Sequence, residues 1–187
     1  MDKLVAISVH NGIEPVIVIT KSDLGEIIAE EYADIYRLAD IRTIDLSRYK
    51  LIVFSNTLKL SLSDIEYIKA STDAAFCFNH AAGCVCDGKF SFENTELITG
   101  FELSETKNDM YDVPALKILN ADGFVRKDKH GEVAYKTING RLHVLNALPY
   151  LDISSIRKIE QLAGAHCYCD ADYTIYADSR FLALIAG

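Results

Sequence analysis

The sequence predicts an α/β domain, a three-layer sandwich with a mostly parallel central sheet and an antiparallel extension at one edge. Three observations carry this prediction. The runs "YKLIVFSN" (49–56) and "AAFCFN" (74–79) are continuously apolar, as parallel strands are when both faces are covered. Helix signals follow each of them, so strand, helix, strand and helix alternate. Two β-branched runs, "EVAYKTI" and "RLHVLNAL", flank Asn139-Gly140, a strong hairpin signal that supplies the antiparallel part.

Taken in order, "KLVAISV" and "PVIVIT" are short strands separated by the turn signal Asn11-Gly12, either a hairpin or two separate strands. From Ser22 the period changes: Leu24, Ile27, Ile28 and Ala29 share one helical face, acidic residues lie opposite, and Ser22 or Asp23 can cap the start. "ADIYRL" (33–38) then alternates. "SDIE" (63–66) has the spacing of a capping box, with Ile65 and Ile68 as the buried stripe of a second helix. "SFENTELITG" (91–100) reads as a short helix stopped by glycine. The polar stretch "SETKNDMYD" (104–112) reads as a surface loop. Asp152 caps the helix "ISSIRKIEQLA", Gly164 ends it, and "HCYC", "YTIYA" and "FLALIA" are closing strands.

A chain of 187 residues, half of them apolar, can bury one good core, so residues 1–187 are expected to form a single domain. A net charge of −8 and a pI near 5.1 leave no basic stripe to neutralise phosphates, which argues against a nucleic-acid partner. No apolar run approaches the roughly 18 to 20 residues of a membrane span, and "MDKLVAISV" lacks the regions of a signal peptide. The expectation is a cytoplasmic chain with no membrane partner. The five cysteines (77, 84, 86, 167 and 169) lie in or beside apolar segments, so reduced thiols are expected.

Loops at the carboxyl ends of parallel strands are where such folds place ligands. Asn56, Asn79 and His80 are therefore the candidate ligand-binding residues, and "HAAGCVCDGKF" (80–90) is the segment to question. Cys84 or Cys86 as a catalytic nucleophile, with His80 as its base, would need a sharp strand-to-helix turn. The strand is expected to end near Asn79 and the next helix to begin near Ser91, which is too long a path for such an elbow. A turn that contains small thiols is the competing reading. Metal binding by His80, Cys84 and Cys86 with His166, Cys167 and Cys169 is opposed by the Cys-x-Cys spacing, since structural zinc takes Cys-x₂₋₄-Cys. No metal and no cofactor is expected.

"GIEPVIVITKSD" (12–23) resembles the guanine-specificity segment of circularly permuted ribosome-associated GTPases, where Lys21 and Asp23 would contact the base. The chain has no phosphate-cradling Gly-x₄-Gly-Lys-Ser/Thr loop, so GTP hydrolysis is rejected and a strand, a turn and the cap Asp23 remain. Glu93, Glu96, Asp109 and Asp112 read as solvated charge, not as a glycosidase pair, and Tyr168, Tyr173 and Tyr176 as half-buried sheet.

Four stretches, "IDLSRYKLIVFSNTLKLSLSDIEYIK", "HAAGCVCDGKFSFENTELITGFEL", "GRLHVLNALPYLDISSIRKIEQLAGAHCY" and "DADYTIYADSRFLALIAG", resemble the class I glutamine-amidotransferase-like, or trimerisation, domain of β-galactosidase-type glycoside hydrolases. The resemblance covers roughly residues 33–187. It implies a flavodoxin-like, class I glutamine-amidotransferase-like sandwich without the Cys-His-Glu triad. It further implies a non-catalytic accessory domain, homo-oligomeric, with carbohydrate at a site shared between subunits. The family's neighbouring barrel and β-sandwich have no counterpart in this sequence, so the expectation is an excised domain, a free-standing relative or an engineered fusion. The alternatives are a small cysteine-dependent amidotransferase or hydrolase, and a small-ligand (sugar) binding module.

Overall fold

A computed structural model describes residues 16–20, 34–55, 57–106, 115–129, 131–148, 151–165, 174–177 and 182–185. The protein is mixed α/β. Five strands run parallel: β1 (Val16–Thr20), β2 (Asp34–Arg37), β3 (Leu51–Ser55), β4 (Ala75–Asn79) and, later in the chain, β11 (Arg141–Asn146). Between β4 and β11 the chain forms β5 (Val85–Cys86), β6 (Lys89–Phe90), β7 (Leu103–Thr106), β8 (Ala115–Ile118), β9 (Gly123–Asp128) and β10 (Gly131–Ile138). The main sheet has the order β2-β1-β3-β4-β11-β10-β9, its last two strands antiparallel.

β3 and β4 are buried at every residue, which is why their sequences are apolar without alternation. β1 pairs in parallel with β2 on one side and β3 on the other, so of the two readings of "PVIVIT", half of a hairpin or a separate strand, it takes the second. "KLVAISV" and the helix expected from Ser22 lie outside the described residues. Asn139 (φ 51°) and Gly140 (φ 81°) turn β10 into β11, the mirror-image turn that their sequence demands.

Three α-helices are described. α1 (Leu62–Ser71) begins earlier than expected: its cap is Ser61, whose hydroxyl accepts from Asp64 N–H at 3.1 Å while Asp64 returns a bond to Ser61 N–H. The box expected at Ser63 and Glu66 is therefore displaced by one built two residues upstream. α2 (Phe92–Thr99) is capped by Ser91 and stopped by Gly100 at φ 81°. α3 (Ile153–Ala163) is capped by Asp152 and stopped by Gly164.

Register assigns the faces of the sheet. Ile52, Phe54, Phe76, Phe78, His143 and Leu145 share one face, because Ile52 pairs with Phe76, Phe54 with Phe78 and His143 with Phe76. α1 and α2 lie on this face: Thr99 and Gly100 of the α2 terminus bond to His143 and Lys136, and Arg141 stacks on Phe76 while donating to the carbonyls of Lys69 and Thr72. Phe54 and Phe78 stack at 4.8 Å, with Phe76 edge-on to both. Burial of each such ring contributes about 1.5–3 kcal/mol. Ser55, Cys77, Asn79, Val144 and Asn146 point to the other face. Arg126, opposite Val133 on that face, holds the α3 cap Asp152 at 2.7 Å.

One expectation is corrected at the periphery. The stretch read as a loop from 104 to 112 begins in β7, which pairs antiparallel with β8; residues 107–114 lie outside the described residues. The closing strands β12 (Thr174–Ala177) and β13 (Leu182–Ile185) pair with each other in a separate two-stranded sheet. "HCYC" is outside the described residues. No described helix is long and apolar enough to cross a membrane.

Candidate functional site

The residues from 80 to 91 form a tight turn followed by a small hairpin. His80 leaves β4 with φ 47°, and its N–H still donates to Asn146 O at 2.8 Å, extending the β4–β11 ladder by one bond. Ala82 N–H reaches back to His80 O and Cys84 N–H to Ala81 O, closing the turn. Gly83 N–H donates to Thr57 O at 2.9 Å and Val85 N–H to Leu58 O at 2.8 Å, which ties the turn to the loop after β3. A side chain at Gly83, whose φ is +74°, would run into Ile98, so glycine is required there. Asp87 and Gly88, both at positive φ, then connect β5 to β6 as a two-residue hairpin.

This geometry distributes the candidate residues unequally. The strained position directly after the strand, where an elbow places its nucleophile, is held by His80 and not by a thiol. Cys84 lies in the packed turn, fully buried, and burial pushes its thiol above the usual range. Cys77, inside β4, is pushed up to about 12 by the same cause. Cys86 is exposed on the hairpin, opposite Lys89. Residues 80–91 separate β4 from α2, as the sequence spacing indicated.

Asn79 ends β4 and is almost wholly buried. Its Oδ1 accepts from Asn146 Nδ2 at 2.6 Å, a pairing of two amides at the carboxyl ends of adjacent parallel strands. Ser55 ends β3, and register sets it beside Asn79 on the same face, since Phe54 and Phe78 are paired on the other. The ends of three neighbouring strands thus offer a row of neutral hydrogen-bonding groups, Ser55, Asn79 and Asn146. Thr57, just beyond β3, is completely buried with Oγ1 unpaired. Ser55 Oγ and Asn79 Nδ2 also make no hydrogen bond among the described residues. Asn56, the third expected ligand-binding residue, lies outside the described residues.

Sequence reasoning missed Asn146 and Thr57. Asn146 looked like one more residue of a hairpin strand, and only its pairing with Asn79 across the sheet gives it a role. His143 sits in the core with Nδ1 2.8 Å from Thr99 O, against the rings of Phe76 and Phe78.

Among the described residues no three His, Cys, Asp or Glu side chains gather as a metal site would require, and His166, Cys167 and Cys169 lie outside them. Lys21, Asp23, Asp109, Asp112, Tyr168 and Tyr173 are likewise outside. Glu93 is exposed in the first turn of α2, while Glu96 accepts from Leu103 N–H at 2.6 Å and so serves the fold. No protein-family model matches the sequence, and no curated protein or solved structure matches it.

Proposed function

We propose that this chain is a non-catalytic α/β domain that binds a small neutral ligand, of the sugar or amide class, at the carboxyl edge of its parallel sheet. The observation that carries the reading is the set of hydrogen-bonding groups left without partners at one place: Ser55 Oγ, Thr57 Oγ1 and Asn79 Nδ2, at the ends of β3 and β4. Thr57 Oγ1 is sealed from solvent, where a missing partner costs about 1–3 kcal/mol, whereas Ser55 Oγ and Asn79 Nδ2 are not sealed and would exchange a bond to water for one to the ligand. None of the three is ionisable, so no charge among them calls for a charged ligand.

The order β2-β1-β3-β4-β11 is the doubly wound order that places ligands at strand ends, and it supports a flavodoxin-like, amidotransferase-like sandwich. The burial of Cys84 supports the loss of cysteine chemistry in such a domain. An accessory, homo-oligomeric role beside a glycoside hydrolase is part of the same proposal. Leu58 and Phe90, 46% and 58% exposed and joined through Val85, give it an apolar contact surface. Light scattering checks this part, and a strict monomer removes it.

Thermal denaturation with methyl β-D-galactoside, with glutamine and with GDP tests the binding. A ligand present at 100 times its Kd stabilises by about 2.7 kcal/mol. The galactoside or glutamine should raise the Tm of the wild type and not that of Asn79→Ala. Absence of any shift, or equal shifts in both proteins, removes the reading.

A further inference from the structure

The hydrogen bonds around Asn146 decide which end of the Asn79 amide faces outward. Leu148 N–H can only donate, and it donates to Asn146 Oδ1 at 3.1 Å. The other atom of that amide is therefore the nitrogen. It donates to the Leu148 carbonyl at 3.1 Å, an acceptor by nature, and to Asn79 at 2.6 Å. A donor arriving from Asn146 needs an acceptor, so Asn79 presents Oδ1 to it and keeps Nδ2 as its open group. Asn79 Nδ2 has no partner among the described residues, and it is not one of the side-chain atoms sealed from solvent without a hydrogen bond.

We infer that Asn146 is a positioning residue that locks Asn79 with its amide nitrogen outward, so that the ligand atom recognised at the end of β4 is a hydrogen-bond acceptor. This rests on the ligand site proposed above. Ser55 and Thr57 can donate or accept by rotating a hydroxyl, and so place no such demand. Asn79 alone sets the polarity. A hydroxyl, ether or carbonyl oxygen satisfies it, and a donor-only group such as an ammonium does not. The orientation is imposed from a backbone turn, Ala147–Leu148, that makes no other contribution to the row.

Side-chain amide NMR of the ¹⁵N-labelled protein tests the inference with no ligand present. In the wild type the Asn79 NH₂ pair should exchange readily with water and the Asn146 pair slowly. In Asn146→Asp the carboxylate can only accept, so Asn79 must turn over and donate to it, and its NH₂ exchange should slow roughly tenfold or more. Dimethyl sulfoxide, an acceptor-only probe, should move the Asn79 NH₂ resonances of the wild type and leave those of Asn146→Asp in place. An Asn79 pair already protected in the wild type, or one indifferent to the probe, overturns the inference. If Asn146→Asp does not fold, the wild-type contrast between the two amides and the probe titration decide it. If both behave as expected while neither galactoside nor glutamine stabilises the protein, the proposed sugar or amide class falls and the positioning by Asn146 stands.

Discussion

His143 Nδ1 lies 2.8 Å from the carbonyl oxygen of Thr99, joining the middle of β11 to the last turn of α2. A carbonyl only accepts, so the proton sits on Nδ1 and the ring is held as one neutral tautomer. Burial lowers its pKa to about 4; the Thr99 bond opposes this, while Lys69, Arg141 and Lys136 add to it.

This neutral histidine makes stability depend on pH. The unfolded chain takes up the proton below about pH 6.5 and the folded one only below about 4. His143 therefore contributes fully above pH 6.5, and its contribution is lost as pH falls through that interval, on the order of 3 kcal/mol in all. Urea midpoints measured from pH 7 to pH 4 should drop for the wild type and drop less for His143→Gln, which does not titrate. Parallel curves would mean that His143 takes up its proton equally in the folded and unfolded states, and so is not buried as a neutral ring.

Asp152 supplies a second, lower window. Burial alone would raise its pKa, but the hydroxyls of Ser154 and Ser155, the Ser155 N–H and Arg126 outweigh burial and hold it well below the usual carboxylate range. Its stabilisation is present above about pH 4 and disappears as pH falls further. Asp152→Ala should cost about 1–2 kcal/mol at pH 7, mainly as a lost helix cap. That difference should shrink towards pH 2 in denaturant titrations.

Gly100 and Gly88 both have positive φ, yet they should differ in tolerance. A methyl group at Gly100 would collide with Ile138, whereas nothing lies within 4 Å of one at Gly88. Gly88→Ala should cost about 1–2 kcal/mol from backbone strain alone, and Gly100→Ala distinctly more. Equal losses of Tm would show that Ile138 moves aside at no cost.

Thiol alkylation tests the placement of the cysteines. With Cys167 and Cys169 replaced by serine, the native protein should take up one equivalent of iodoacetamide at Cys86, and Cys77 and Cys84 should react only on unfolding. Rapid native labelling of Cys84 near neutral pH would restore the cysteine-enzyme reading.

How legible the site was follows from distance along the chain. The path from Asn79 to α2 was visible because it depends only on where two neighbouring elements stop. The helix cap Asp152, and the stops Gly100 and Gly164, were readable for the same reason: each acts within one turn. The start of α1 was not, because Ser61-x-x-Asp64 and Ser63-x-x-Glu66 offer the same chemistry two residues apart. The structure selects Ser61, directly after the loop whose Thr57 and Leu58 carbonyls are held by Gly83 and Val85. β9, rich in charge, gave no strand signal because an edge strand is covered on fewer sides.

By itself the sequence determined the class of the fold. Runs such as "LIVFS" and "AFCFN" have no polar residue to spare for solvent until their last position, so they must be covered on both faces, and Asn139-Gly140 must turn. Tertiary structure alone decided the strand order, and with it the row Ser55, Asn79 and Asn146 and the burial of His143. Asn79 and Asn146 stand 67 positions apart. Alternation says only that each points up or down, and which residues share a side is fixed when strands from distant parts of the chain settle into register.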